Sequence, residues 1–149
     1  MHAVLAALAL MTFAKGNAEQ KSAVLTHARQ FVNAVNTRDM KAAIAACSPD
    51  VSIVDSVPPY EWHGAGSMIR WLVDYAVDAK KNGITDGKVT LGKTRSIGVN
   101  GDHAYAVFSA NYTFKRKGKP VGEPGSMISL ALKKVKEGWR ITAWTWSKG

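Results

Sequence analysis

Two short stretches hold the side chains of this chain that could do acid–base chemistry. Asp55 ends an alternating apolar segment, residues 51–55, and the polar and aromatic cluster 60–63 follows it and ends in His63. A carboxylate at the edge of an apolar pocket has a raised pKa and can accept and return protons. A histidine titrates near neutral pH. If the two side chains come within hydrogen-bonding reach, they would form an Asp55–His63 dyad.

Each of these residues also has a purely structural explanation. Asp55 could hydrogen-bond the backbone of the proline-rich loop that follows it. His63 could bond to loop backbone, and it stands just before a predicted helix N-terminus, which disfavours a charged imidazolium. Tyr60 and Trp62 could close a pocket as a plain hydrophobic lid. The sequence leaves both explanations open for each residue.

Four further aromatic residues are candidates for the pocket wall. Phe31 and Trp71 fall on predicted helices, whereas Phe108 and Tyr112 share one face of a predicted strand with two alanines that leave room beside them. An aromatic wall suits a flat, mostly apolar ligand. Ordinary core packing predicts the same pattern.

Other common sites are not indicated. The histidines are widely spaced and show no metal-ligand pattern. Cys47 is the only cysteine, which excludes an internal disulfide and a zinc site of the cysteine type. The sequence has no phosphate-binding loop, no nucleophile elbow and no dinucleotide fingerprint. We therefore expect neither a metal nor a cofactor.

The apolar spacing predicts three helices that could position these residues. The first covers about residues 20–36. The second is short, is capped by Thr37 and ends at Ser48-Pro49, with a buried stripe of Met40, Ala43, Ile44 and Cys47. The third follows Gly64 to Gly66 and ends at Asn82-Gly83, with an inner face of Met68, Ile69, Leu72, Tyr75, Ala76 and Ala79.

Strands make up the rest of the prediction. Residues 51–55 form a short strand, and from residue 84 the apolar period changes to two, which predicts strands over 88–98, 103–116, 124–135 and 138–147 joined by glycine-containing hairpin turns. This order of elements predicts an α+β fold, in which a curved, mostly antiparallel sheet wraps around the helices as a cone with a hydrophobic pocket.

The composition is that of one globular domain with a basic surface. The chain has 149 residues, 46% hydrophobic residues and a net charge of +9. The basic runs at 115–119 and 133–136 fall at predicted turns and strand ends, with no interleaved aromatics, so we do not expect a nucleic-acid partner. Solvated turns explain the charge, and weak attraction to anionic lipid or to an acidic ligand is the alternative.

The N-terminal residues resemble a targeting segment. Residues 3–13 form an apolar run that is too short to span a bilayer, and small residues at 16 and 18 fit a signal-peptidase site. The prediction is a signal peptide at 1–18 and a domain at 19–149, in a periplasmic or secreted protein. The alternative is an ordinary first helix in a cytoplasmic protein.

Three stretches carry a resemblance to a known family: residues 31–40, residues 50–55, and Gly64 at the start of the third helix. They are similar to the helix, helix start and aspartate-containing strand of the nuclear transport factor 2-like superfamily, which includes SnoaL-like domains and steroid Δ5-isomerases. The resemblance covers roughly residues 20–147. It implies the cone fold, and this fold hosts both enzymes and assembly modules.

In the isomerases, the aspartate that matches Asp55 moves a proton beside a carbonyl. The position of their oxyanion-binding tyrosine resembles Phe31, and the stretch 125–128, where a second acid should stand, has no carboxyl group. Without an oxyanion donor a general base loses several kcal/mol of transition-state stabilisation, so we do not expect steroid isomerisation. The resemblance also implies that Trp144 and Trp146 face outward and form a homodimer interface.

Two functions therefore remain. The first is a SnoaL-like pocket protein that binds a small, mostly apolar molecule, with or without acid–base turnover of the isomerase, cyclase or dehydratase type by Asp55 with His63. The second is a non-catalytic dimerisation or accessory module that uses the outer face of the sheet.

Overall fold

A computed structural model describes the backbone of residues 2–149 and the side chains of residues 14–149. The apolar run of the predicted signal peptide, residues 3–13, therefore lies outside the described side chains. The elements are α1 (His2–Asn36), α2 (Met40–Ala45), β1 (Cys47–Val54), β2 (Glu61–Trp62), α3 (Ser67–Asn82), β3 (Ile84–Asn100), β4 (His103–Arg116), β5 (Lys119–Val135) and β6 (Gly138–Ser147).

The strands form a single curved sheet in the order β2-β1-β6-β5-β4-β3. All neighbouring pairs are antiparallel except β1 and β6, which run parallel. The three predicted hairpins are present, and Gly101 and Gly118 supply the positive φ that two of their turns need. The predicted α+β fold class is confirmed.

The core lies between α1, α3 and the inner face of this sheet. Among the described side chains of α1 the buried stripe begins at Val24 and includes Ala28 and Phe31, whereas most side chains of residues 14–19 are exposed. Fully buried Phe108 and Ile141 meet this stripe from the sheet. The helix itself begins at His2, well before the predicted start near residue 20.

The region of α2 differs from the prediction in three ways. Asp39, not Thr37, caps the helix by accepting a hydrogen bond from the Ala42 N–H at 3.0 Å. Met40 is exposed. Cys47 belongs to β1, because it pairs with Ile141 of β6, and such parallel pairing with a distant segment leaves no local sign in the sequence. Burial raises the pKa of the Cys47 thiol to about 12, as befits an inert core thiol.

Helix α3 ends as predicted, at Gly83 in the left-handed conformation with φ 64°. Its buried side consists of Ser67, Met68, Trp71 and Leu72. Ile69 and Ala76, predicted to face inward, are exposed instead, because the sheet covers only the stripe that contains Trp71.

The last strand contains a bulge that reverses one prediction. Leu132 pairs with Ile141 and Ala131 pairs with Ala143, so Thr142 is an extra residue on β6. A bulge shifts the alternation of the following side chains by one. Trp144 and Trp146 consequently share the inner face with Ile141, and their predicted place on the outer face is wrong.

Candidate functional site

A cavity of about 420 Å³ opens at one end of the molecule, between the helices and the inner face of the sheet. Its walls come from the C-terminal half of α1, one side of α3, the residues just after β1, the start of β3, the first half of β5, and the ends of β4 and β6. The curl of the sheet brings these segments together, since these strand termini all lie at the same end of the sheet. This size is within the usual range for small-molecule sites.

Asp55 lies on this wall directly after β1. Its Oδ2 accepts a hydrogen bond from the Trp71 indole Nε1–H at 2.8 Å, and its Oδ1 accepts one from the Ser56 backbone N–H at 2.6 Å. Burial raises the pKa of Asp55, these hydrogen bonds oppose the rise, and the charge of Glu123 adds to it. The result is a half-buried carboxyl group whose basicity is higher than that of a surface aspartate.

Two tyrosine hydroxyls meet at the wall of the same cavity. The oxygens of Tyr75 and Tyr112 are 2.5 Å apart, so one hydroxyl donates to the other and the accepting hydroxyl keeps its own proton for another acceptor. Burial, the Tyr75 contact, and the charges of Glu123 and Asp55 all raise the pKa of Tyr112. The Tyr112 hydroxyl is therefore protonated at neutral pH, and the pair can act as a hydrogen-bond donor.

Gly87 makes room for this hydroxyl pair. A Cβ at this position would lie 2.7 Å from the Tyr112 oxygen and 2.9 Å from the Tyr75 oxygen. Gly87 falls in a register shift between β3 and β4, next to Asp86 with a positive φ of 56°. The irregular strand thus brings bare backbone against the two phenols.

Glu123 also lines the cavity, from β5. Its carboxylate lies 2.8 Å from the Lys148 ammonium group, and the Glu123 side chain is 14% exposed. The sequence prediction found no carboxyl group in the stretch 125–128, and the acid that this strand contributes lies just before it.

The predicted aromatic wall is partly present. Phe31, Trp71 and Tyr112 line the cavity, and the bulge on β6 adds Trp144 and Trp146. Trp71 and Trp144 meet edge to face with ring centroids 4.8 Å apart, a favourable aromatic geometry.

The other predicted aromatic contacts lie elsewhere. Phe108 is fully buried in the closed part of the core. Trp62 is also buried, and its Nε1–H donates to Asp74 Oδ2 at 2.8 Å. Tyr60 is 59% exposed. None of the three is among the residues that line the cavity.

The structure does not join His63 to Asp55. Trp62 on the short strand β2 points into the core, so its neighbours Glu61 and His63 point out. The His63 Nε2 lies 3.4 Å from Glu61 Oε2, with the His63 side chain 60% exposed. The predicted dyad is wrong because this segment pairs with β1 as a strand instead of forming a loop over the mouth.

Two absences can be stated for the described part of the chain. Within it, no three histidine, cysteine, aspartate or glutamate side chains are grouped as metal ligands would be. Nor does any helix in it combine the length and hydropathy needed to cross a bilayer.

Structural similarity is extensive but accompanied by low sequence identity. A nuclear transport factor 2-like superfamily protein from Salmonella enterica is 20% identical, with a TM-score of 0.72 over 88% of this chain and 92% of that chain. A ketosteroid isomerase-like protein from Erwinia carotovora is 19% identical, with a TM-score of 0.68 over 87% of this chain and 96% of that chain. These likenesses establish the fold.

A third similar structure is ActVI-ORFA from Streptomyces coelicolor, at 16% identity and a TM-score of 0.66 over 85% of this chain and 95% of that chain. No curated protein sequence matches. The family described as "SnoaL-like domain" matches residues 24–148, a span that begins at buried Val24 of α1 and includes β1 to β6. The chain therefore belongs to the SnoaL-like domain family.

Proposed function

We propose that this protein binds a small, mostly apolar molecule in the cavity and transfers a proton on it, with Asp55 as the base. The observation that carries the proposal is the Asp55 carboxylate, which burial makes more basic while Trp71 and Ser56 hold it in place. A general base acts best when its pKa approaches the working pH.

The hydroxyl pair supports the second part of the reaction. Removal of a proton beside a carbonyl puts negative charge on the carbonyl oxygen, and the remaining proton of the Tyr75–Tyr112 pair can be donated to that oxygen. This donor comes from α3 and β4. The cavity therefore has a hydroxyl donor even though Phe31 stands where the isomerases have their oxyanion-binding tyrosine. Return of the proton to another carbon completes an isomerisation, and loss of a neighbouring hydroxyl as water completes a dehydration. Attack of the carbanion on a second carbonyl completes a cyclisation.

Asp55 acts here without His63, which points away from the cavity. Phe31, Trp71, Trp144 and Trp146 supply an aromatic wall that suits a flat ligand. Steroid isomerisation is not part of the proposal.

The test begins with mass spectrometry of molecules that co-purify with the native protein. The identified molecule is then incubated with the protein in D₂O, and deuterium incorporation is followed by NMR. We expect Asp55→Asn to slow the exchange by about 10²-fold or more. Its far-UV circular dichroism spectrum should match that of the wild type, and its unfolding transition should remain cooperative.

Asp74→Asn is the matched control. Asp74 also accepts an indole N–H at 2.8 Å but does not line the cavity, so its replacement should leave the exchange rate within about twofold. Exchange at the wild-type rate in Asp55→Asn would remove Asp55 from the reaction.

A second candidate function, self-association, is favoured by the composition of the outer sheet face. In three consecutive rows across β4, β5 and β6 the cross-strand neighbours on this face are uncharged, and the row beside them carries Lys133 and Arg140. The uncharged rows are Tyr105, Ala131 and Ala143; Val107, Ser129 and Thr145; Ser109, Met127 and Ser147. In a chain with 21% charged residues, such a face fits a two-fold interface. We propose a homodimer through these residues in place of Trp144 and Trp146.

Size-exclusion chromatography with light scattering tests this interface. We expect a dimer for the wild type and a monomer for Ser129→Arg, because two copies of the charge would meet at the interface centre. Val77→Arg places the same charge on an exposed site of α3 and should remain dimeric. A monomeric wild type at micromolar concentration contradicts the candidate.

A further inference from the structure

We propose that the ligand of this cavity carries an anionic group, such as a carboxylate, which the guanidinium groups of Arg38 and Arg116 bind at the mouth. This inference rests on the proposed function and specifies the class of its substrate: an amphipathic anion whose apolar body lies inside the cavity.

The two arginines stand at the same part of the rim. Both line the cavity and both are exposed. Arg116 pairs with Ile84, the first residue of β3, and Arg38 is close enough to Asp86 on the same strand for its charge to help lower the pKa of Asp86. Guanidinium groups on this part of the rim suit a planar anion, which each can bind through parallel N–H groups.

Neither guanidinium is used by the ion pairs of residues 14–149, which join His63 to Glu61, His103 to Asp102, Lys115 to Asp86 and Lys148 to Glu123. Arg116 instead lies over the Phe114 ring, with 5.4 Å from its Cζ to the ring centroid. A cation–π contact of this kind needs none of the guanidinium hydrogen bonds, so the N–H groups of Arg116 remain available to an anion.

The charges around this part of the rim favour the same ligand. Two acidic residues line it, Asp78 and Asp86, and Asp86 already pairs with Lys115 at 3.2 Å. Further lysines stand in the last turn of α3, in the β4–β5 turn and at the start of β5, namely Lys80, Lys81, Lys117 and Lys119. The resulting positive excess would raise the local concentration of an anion.

The position of Arg116 also sets the orientation of the ligand. Tyr112, Phe114 and Arg116 alternate along one face of β4, so Arg116 lies about 13 Å beyond Tyr112 at about 3.3 Å per residue. Asp55 places negative charge on the wall and repels an anion from it, whereas the charge of Glu123 is offset by Lys148, which lines the same cavity. The charged end of the ligand therefore stays at the mouth and the reacting carbon lies toward Asp55.

Two fluorescent probes with the same rings separate charge from apolar fit. One is 8-anilinonaphthalene-1-sulfonate, and the other is N-phenyl-1-naphthylamine, which lacks the sulfonate. For the variant Arg38→Gln/Arg116→Gln we expect the Kd of the sulfonate to rise about tenfold and the Kd of the neutral probe to stay within about twofold. Added salt should weaken only the binding of the sulfonate probe.

Lys93→Gln/Arg95→Gln is the control, because it removes the same charge from exposed positions of β3 that do not line the cavity. An equal loss in the control, an unchanged Kd for the sulfonate, or an equal loss for both probes would overturn the proposal, as would a wild type that binds no sulfonate. A wild type that binds neither probe also counts against the proposed function. Binding of the neutral probe with no arginine effect counts against this inference alone.

Discussion

Two aspartate–tryptophan pairs of this protein share one local geometry and differ in everything around it. In each pair an indole Nε1–H donates to an aspartate Oδ2 at 2.8 Å, from Trp71 to Asp55 and from Trp62 to Asp74. Both indoles are buried. Only Asp55 and Trp71 line the cavity.

This comparison shows that the hydrogen bond alone does not make a candidate catalytic group. Asp55 is surrounded by a partly open aromatic wall, with the charge of Glu123 adding to the rise of its pKa and the Tyr75–Tyr112 pair on the same wall. Asp74 ties the short strand β2 to α3 through Trp62. The same residue types thus serve a cavity in one place and a structural connection in the other.

The largest expected difference concerns the two indoles. Trp62→Ala should lower the free energy of unfolding by about 4 kcal/mol, because it leaves a closed void in the core. Trp71→Ala should cost about 1–2 kcal/mol less, since water can enter the space that it adds to an open cavity. Urea denaturation measures both. Equal losses would mean that the wall of the cavity is packed as tightly as the closed core.

A smaller loss of stability is expected for a substitution at Gly87. This residue contacts the two tyrosine hydroxyls on the cavity wall that also bears Asp55, whereas Asp74 does not line that cavity. Gly87→Ala should destabilise the protein by about 1–3 kcal/mol, because its Cβ would overlap both oxygens. The loss should shrink in a Tyr112→Phe background, where one of the two oxygens is gone, and a double-mutant cycle measures this coupling.

Gly98→Ala is the control on the same strand, as no atom lies within 4 Å of its added Cβ. Additive effects of Gly87→Ala and Tyr112→Phe would show that the substituted strand relaxes away from the phenols.

The smallest effect should be the pH dependence of stability. Burial raises the pKa of folded Asp55 above its ordinary value near 4, so the folded state holds this proton more tightly than the unfolded state. Stability is then lost as pH rises from about 4 through the raised pKa. Urea unfolding at several pH values should show this loss in the wild type and in Asp74→Asn but not in Asp55→Asn. Parallel curves for the wild type and Asp55→Asn would contradict the effect of burial on this carboxyl group.

The fold followed from local patterns that the sequence displays well. Helical spacing, glycine at the end of α3 and strands of period two with glycine turns were sufficient for the element order. The placement of Asp55, Phe31, Trp71 and Tyr112 at one cavity followed from the same periodicities, because Asp55 directly follows β1 and the other three lie on the inner faces of α1, α3 and β4.

The rest depended on pairing between distant segments. Strand β2 pairs with β1 through only two residues, too few for a visible alternation, and that pairing turns His63 away from Asp55. The hydroxyl contact between Tyr75 and Tyr112 joins α3 to β4, and the Glu123–Lys148 ion pair joins β5 to the C-terminal end. No spacing along the chain encodes such contacts.

The extra residue at Thr142 has a practical consequence for spectroscopy. By moving Trp144 and Trp146 to the inner face beside Trp71, it concentrates three of the five tryptophans on the wall of one cavity. Intrinsic emission should therefore respond to whatever molecule enters, so that occupancy can be titrated on the unlabelled protein. Candidate ligands can be compared by the change in tryptophan emission before any reaction is known.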